Sequence, residues 1–288
     1  MRVARPTAAL LALCLAAPGT RAAEAEPSVR AENAAADERT PPSAGEKLTP
    51  LPYDWTVDGV VTGALVASTL TLMLLQKDLA PLQCRWCTPG SVDGDLAKSV
   101  PWTNPKAAST ASDVLQLVVP LGIMGYGLLQ AYRLGDPAAG WSDVLLVTEA
   151  TSLAMLTSVI VKYAVGRARP YVWLNQPDLY GDPAERYVSF FSNHTTFAFA
   201  VAASAGTLYL MQGMPGAPFV LGAGLAVAAL TGYLRMASSQ HYLSDVLTGA
   251  AVGSLIGWAV PYLFHRPRKG PPQAGDLRPA PGGIAIAW

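Results

Sequence analysis

The sequence predicts an all-α fold, a bundle of six transmembrane helices with an active site at one membrane face. Hydrophobic residues make up 51% of the 288-residue chain and charged residues only 14%, where soluble domains carry about a quarter charged. Apolar runs at about 57–76, 113–132, 143–164, 195–213, 217–235 and 242–264 approach the ~20 residues needed to cross the hydrocarbon layer. The chemically capable side chains from Lys162 to Asp245 cluster at the ends of these runs.

In chain order, residues 1–25 read as a signal peptide, with Arg2 and Arg5 ahead of a short apolar stretch and small residues at Ala22, Ala23 and Ala25. An uncleaved alanine-rich start is the alternative. Cys14 follows Leu13 rather than a small residue, so no lipidation is expected. Residues 26–54 lack periodicity and read as a disordered tether. The six-span domain then covers 55–265, and 266–288 is a basic, then Pro/Gly-rich tail. The stretch from Gly59 to Leu75 contains no charge, which argues against a soluble helical bundle. Small residues such as Gly222-Ala223-Gly224 and those from Gly249 to Gly257 suit close packing of membrane helices. Glu149 lies mid-span, where a carboxylate is either functional or neutral and hydrogen-bonded.

Between spans, Gly213-Met214-Pro215-Gly216 makes a tight hairpin, whereas 77–112 and 165–193 are long loops. Cys84 and Cys87 lie in the first long loop, and the spacing allows either a disulfide or two idle thiols. Twenty basic residues balance twenty acidic ones, so nothing pulls the chain toward nucleic acid. No nucleic-acid partner is expected, and the oligomeric state is left open.

Alternating spans place Lys162 and Arg169, His194, Arg235, and His241 with Asp245 on one membrane face. Each has a bland explanation alone, since cations at helix ends can snorkel to headgroups. Together they form a set suited to phosphoryl transfer. Lys162, Arg169 and Arg235 would meet the charge on the equatorial oxygens of a phosphate. Ser192 and the backbone around Asn193 would add donors ahead of a helix N-terminus. His241 is the candidate nucleophile, with Asp245 four residues on as its partner on one helix face. His194 is the candidate general acid and base. Neither a cofactor nor a metal is expected at this site.

Lys162-x6-Arg169-Pro170, Ser192-x-His194 and Arg235-x5-His241-x3-Asp245 resemble the three-part signature of the type 2 phosphatidic acid phosphatase and vanadium haloperoxidase superfamily. The resemblance covers about 57–265 and implies a helical bundle. It implies Lys162, Arg169, Ser192, Asn193 and Arg235 as phosphate binders, His194 as acid and base, His241 as nucleophile and Asp245 as its partner. Two positions depart from the usual pattern: Asn193 replaces a glycine and Leu234 a serine. Neither removes a catalytic group.

The implied activity is a metal-independent membrane phosphatase acting on a lipid phosphate or diphosphate monoester through a phosphohistidine. The bilayer and a membrane lipid phosphate are its expected partners. The alternatives are a vanadate-dependent haloperoxidase and a non-catalytic lipid-phosphate-binding membrane protein. A bacterial-type inner membrane with a periplasmic site is the expected location. Basic residues away from the expected site, Arg167 among them, divide evenly between the two faces and do not decide orientation.

Overall fold

The computed structural model describes residues 47–267, 277–280 and 283–286. The expected signal peptide and the tether up to residue 46 lie outside these. The described helices are α1 (Trp55–Leu74), α2 (Gln76–Leu79), α3 (Ser91–Ser99), α4 (Pro105–Arg133) and α5 (Pro137–Val165), then α6 (Pro170–Trp173), α7 (Asn193–Gln212), α8 (Ala217–Ala237) and α9 (Leu243–Phe264). Among the described residues the fold is all-helical apart from a small hairpin near the C-terminus.

The six long helices coincide with the six expected spans. Five of them, α1, α4, α5, α8 and α9, are long and apolar enough to cross a membrane, while α7 falls short of that apolarity. The reason is its position. α7 packs against α4, α5, α8 and α9, and most of its side chains are buried. A helix walled by protein needs small residues that fit rather than large ones that face lipid. By contrast α1 and α4 expose Val60, Leu70, Leu117 and Leu121, as lipid-facing helices should.

Two long helices begin earlier than their apolar runs suggest. Asn104 accepts from the Ala107 N–H ahead of Pro105, and Asp136 accepts from the Ala139 N–H ahead of Pro137. A capping side chain followed by proline at the first helical position is a start signal that hydropathy does not register.

The tether ends sooner than expected. Leu48 and Leu51 are buried in the core beside Leu208 and Met214, and the Thr49 N–H donates to the Gln212 carbonyl at 2.9 Å. Two leucines three apart supply enough apolar surface to dock this segment on the end of the bundle. The tail also differs from expectation, since β1 (Leu277–Ala280) and β2 (Gly283–Ile286) pair antiparallel, Leu277 opposite Ile286. The β-branched Ile284 and Ile286, two apart, were the available signal.

The closest helix packing joins α7 to α9. A Cβ at Gly249, Gly253 or Gly257 would lie 2.9, 2.4 or 2.6 Å from the backbone oxygens of Ser192, Thr196 and Ala200. These three glycines recur every four residues, so they form one bare stripe along α9. The α7 backbone lies in it. The N-terminal ends of both helices, which carry His194 and Asp245, are thereby fixed against each other.

Candidate active site

Five segments meet at one end of the bundle. α5 brings Lys162 in its last turn, and Gly166 ends that helix in a left-handed conformation, φ 62°. The chain then runs extended through Arg167 to Arg169, pairing alongside Trp86. α7 begins at Asn193, α8 ends just beyond Arg235, and α9 begins just after His241. α2 adds Gln76, and the start of α4 adds Ser109 and Asp113.

A cavity of about 380 Å³ opens among these ends, lined by Lys162, Arg169, Asn193, His194, Arg235 and His241 together with side chains from α1 and α4. Three cations therefore surround one polar space. Lys162 is buried and donates to the Val188 carbonyl at 2.5 Å. Arg169 donates through Nε to the Glu185 carbonyl at 2.7 Å and pairs with the Glu185 carboxylate through Nη2. Its Nη1 reaches the Gln240 side-chain oxygen at 3.0 Å and lies 3.5 Å from His241 Nε2. Arg235 donates to Ser112 Oγ at 3.0 Å and also to the Gln240 oxygen. Gln240 thus holds two guanidinium groups at a fixed separation. Arg169 keeps the Glu185 carboxyl pushed down to about 2 against the opposing effect of burial, with Gln76 assisting by a hydrogen bond.

The two histidines have different partners from those expected. His241 precedes α9 instead of lying on it, because Tyr242 is the N-cap residue. The one-face argument for His241 and Asp245 therefore fails, and Nδ1 lies 3.6 Å from Asp245 Oδ2, too long for a hydrogen bond. Asp245 is the third residue of a capping box and accepts from the Tyr242 N–H at 2.9 Å and Ser189 Oγ at 2.6 Å. Its other oxygen pairs with Arg167. Asp245 thus lies beside His241 without bonding to it. His194, for which the sequence offered no partner, has Nε2 2.8 Å from Asp113 Oδ1 of α4. Asp113 is also 3.6 Å from Arg235 Nη1.

Burial, followed by the charges of Lys162, Arg169 and Arg235, holds the His241 imidazole well below the usual histidine range. The ring is therefore neutral near neutral pH, with a lone pair at one nitrogen.

Ser192 is placed differently from the other expected phosphate binders. It is fully buried, caps α7 by accepting from the Thr195 N–H, and is not among the residues lining the cavity. Asn193 does line it, with its side-chain oxygen accepting from Ser158 Oγ at 2.5 Å.

Arg167 departs from the expectation that it lies away from the site. It is 1% exposed and lies under the site. It donates to Ser244 Oγ and Asp93 at 2.7 Å and pairs with Asp245. Its guanidinium sits 3.9 Å from the Trp86 ring centre and 4.2 Å from that of Tyr242. Asp93 in turn accepts from the Ser244 N–H at 3.0 Å. Burial alone would raise the Asp93 carboxyl, but the bonds from Ser244 and Arg167 hold it below the ordinary aspartate value. The available signal was spacing: Arg167 is two residues from Arg169, and side chains two apart in an extended segment share a side, which groups Arg167 with the site.

A helical bundle whose apolar helices end around a cavity lined by Lys162, Arg169 and Arg235 is the architecture of a membrane protein with a cationic pocket at one end of its spans. The chain is a multi-pass membrane protein. Residues 143–269 match the model of the PAP2 superfamily, the family whose three-part motif the sequence resembles. A lipid A 1-phosphatase of Porphyromonas gingivalis is 32% identical over 162 residues, covering 54% of this chain and 31% of that protein. The chain thus matches less than a third of that relative's length. Among solved structures, a transmembrane PAP2-type phosphatidylglycerolphosphate phosphatase from Bacillus subtilis aligns over 69% of this chain and 94% of its own, with 18% identity and a TM-score of 0.44.

Proposed function

We propose that this protein is a membrane phosphatase that hydrolyses a lipid phosphate or diphosphate monoester through a phosphohistidine on His241, without a metal ion. The observation that carries the reading is the cavity lined by Lys162, Arg169, Arg235 and His241, in which Arg169 Nη1 lies 3.5 Å from His241 Nε2. In the first step Nε2 attacks phosphorus as the bond to the lipid oxygen breaks, and protonated His194 gives its proton to that oxygen. In the second step His194 takes a proton from water and the hydroxyl oxygen attacks phosphorus. The N–P bond breaks, its electrons return to Nε2, and phosphate leaves. Three cations supply the charge stabilisation that this transfer needs. The Asp113 carboxylate accepts from His194 Nε2–H, which leaves Nδ1 to carry the mobile proton.

Met73 and Met155 also line the cavity, from α1 and α5. Apolar side chains beside the cations suit a substrate whose headgroup enters while its chains stay in the bilayer. The relative from Porphyromonas gingivalis puts lipid A phosphates first among candidate substrates. Phosphatidate, phosphatidylglycerol phosphate and polyprenyl diphosphate follow.

The site faces the periplasm in this reading. The Cys84–Cys87 disulfide supports it, because Trp86 between them pairs with Arg167 beneath the site and disulfides persist in oxidising compartments. Phosphate release from this panel of lipids tests the activity. Wild type should release phosphate, and His241→Ala should retain less than about a thousandth of the rate. Equal release by both would remove His241 from its role, and release by neither would favour lipid-phosphate binding without turnover.

A further inference from the structure

A second polar cluster lies at the opposite end of the bundle and takes no part in phosphoryl transfer. It joins Asp58 in the first turn of α1, Glu149 in the middle of α5, and His265, which follows the last residue of α9. One ligand atom from each lies within 4.8 Å of the others. Glu149 is thirteen residues before Lys162 on the same helix, which at ~1.5 Å per residue puts the cluster about 20 Å from the phosphate cavity.

The hydrogen bonds around His265 specify what the cluster lacks. Its Nδ1 lies 3.0 Å from the Pro52 carbonyl. A carbonyl oxygen only accepts, so Nδ1 carries a proton and Nε2 is the ring nitrogen left to bind a partner. Nε2 is 4.0 Å from Glu149 Oε2. Both atoms are buried and have no hydrogen-bond partner among the described residues. His265 itself is 4% exposed. Two acceptors thus face each other across a gap too long for a shared proton. The gap is within reach of two metal–ligand bonds of ~2.0–2.2 Å. A ring nitrogen fixed by donating its other N–H to a backbone carbonyl is the usual arrangement of a metal-bound histidine. Asp58 Oδ2 accepts from the Asp54 N–H at 2.7 Å, which orients the second carboxylate. Two carboxylates and a neutral imidazole carry two negative charges, and a divalent cation cancels both. Neutrality matters here because a net charge among spanning helices is costly.

We propose that Asp58, Glu149 and His265 form a binding site for a divalent transition-metal ion, of the zinc or manganese type, that ties α1, α5 and α9 together. One nitrogen and two oxygen ligands suit a borderline cation better than calcium or magnesium, which take oxygen donors. The ion is structural and separate from the phosphatase reading, and its test does not depend on activity.

The test uses the full chain in detergent, stripped with a chelator and then dialysed against Zn2+ alone. Metal content by mass spectrometry and the thermal unfolding midpoint are compared for wild type, Glu149→Gln and His265→Gln. Helix content by circular dichroism establishes that the variants are folded. Wild type should retain zinc in a one-to-one ratio and unfold at a higher temperature than its stripped form. Both folded variants should lose at least tenfold in zinc affinity and show no such rise. Zinc retention by the variants equal to wild type, or no retention by wild type, would overturn the site.

Discussion

Arg167 is the residue whose loss should damage the site most without touching substrate. It bridges Asp93 and Asp245 while almost fully buried, and removing one partner of such a set strands the others. Breaking a buried pair in this way costs about 3–5 kcal/mol. Arg167→Ala should therefore lower the thermal midpoint and the phosphate-release rate together. Arg167→Lys should not rescue either, because a compact ammonium lacks the planar fork that spans Asp93, Ser244 and Asp245 while stacking between Trp86 and Tyr242. A second prediction concerns Asp113, which orients His194. Asp113→Asn should reduce kcat about tenfold or more with little change in KM. A third concerns pH. The His241 pKa is lowered, so the neutral ring persists as pH falls below the ordinary histidine value of about 6.5. In 15N-labelled protein the His241 ring should stay neutral at pH 6, and a ring that protonates at or above pH 6.5 would contradict this environment.

Among elements, α7 and α9 decide the geometry of the site. The Gly249, Gly253 and Gly257 stripe lets two backbones touch, and a side chain at Gly253 would meet the Thr196 carbonyl at 2.4 Å. Gly253→Val should force the helices apart. The expected result is overpacking of about 1–3 kcal/mol in stability and a loss of phosphate release. Gly222→Ala, on α8 with open space around it, is the control and should leave both unchanged. The helices themselves were legible from hydropathy, including α7, whose small residues still formed a continuous run. Their starts at Asn104-Pro105 and Asp136-Pro137 were legible too, but only through capping chemistry. The docking of Leu48 and Leu51 was not, because two leucines among prolines carry no periodicity until a partner surface exists.

For the whole molecule, the compartment that the cavity meets decides which pool of lipid phosphate the site can reach. With the cavity facing the periplasm, reducing intact cells with an impermeant phosphine should make Cys84 and Cys87 reactive toward an impermeant maleimide. Labelling that appears only after the inner membrane is permeabilised would put the site in the cytoplasm.

By itself, the sequence determined the helical membrane bundle, the end of it that carries the ionisable residues, and the three motif segments that meet there. These follow from properties written along the chain: apolar run length, spacing, and the alternation of helix direction. Only the tertiary structure decided which charge meets which. Asp245 faces Arg167 instead of closing on His241, Asp113 reaches His194 from 81 positions away, and Glu149 turns toward His265. These pairings depend on how far each helix is rotated about its axis and how closely it approaches its neighbour. The glycine stripe fixes this for α7 and α9, packing among the remaining helices fixes it for the others, and residue spacing along one chain does not express it.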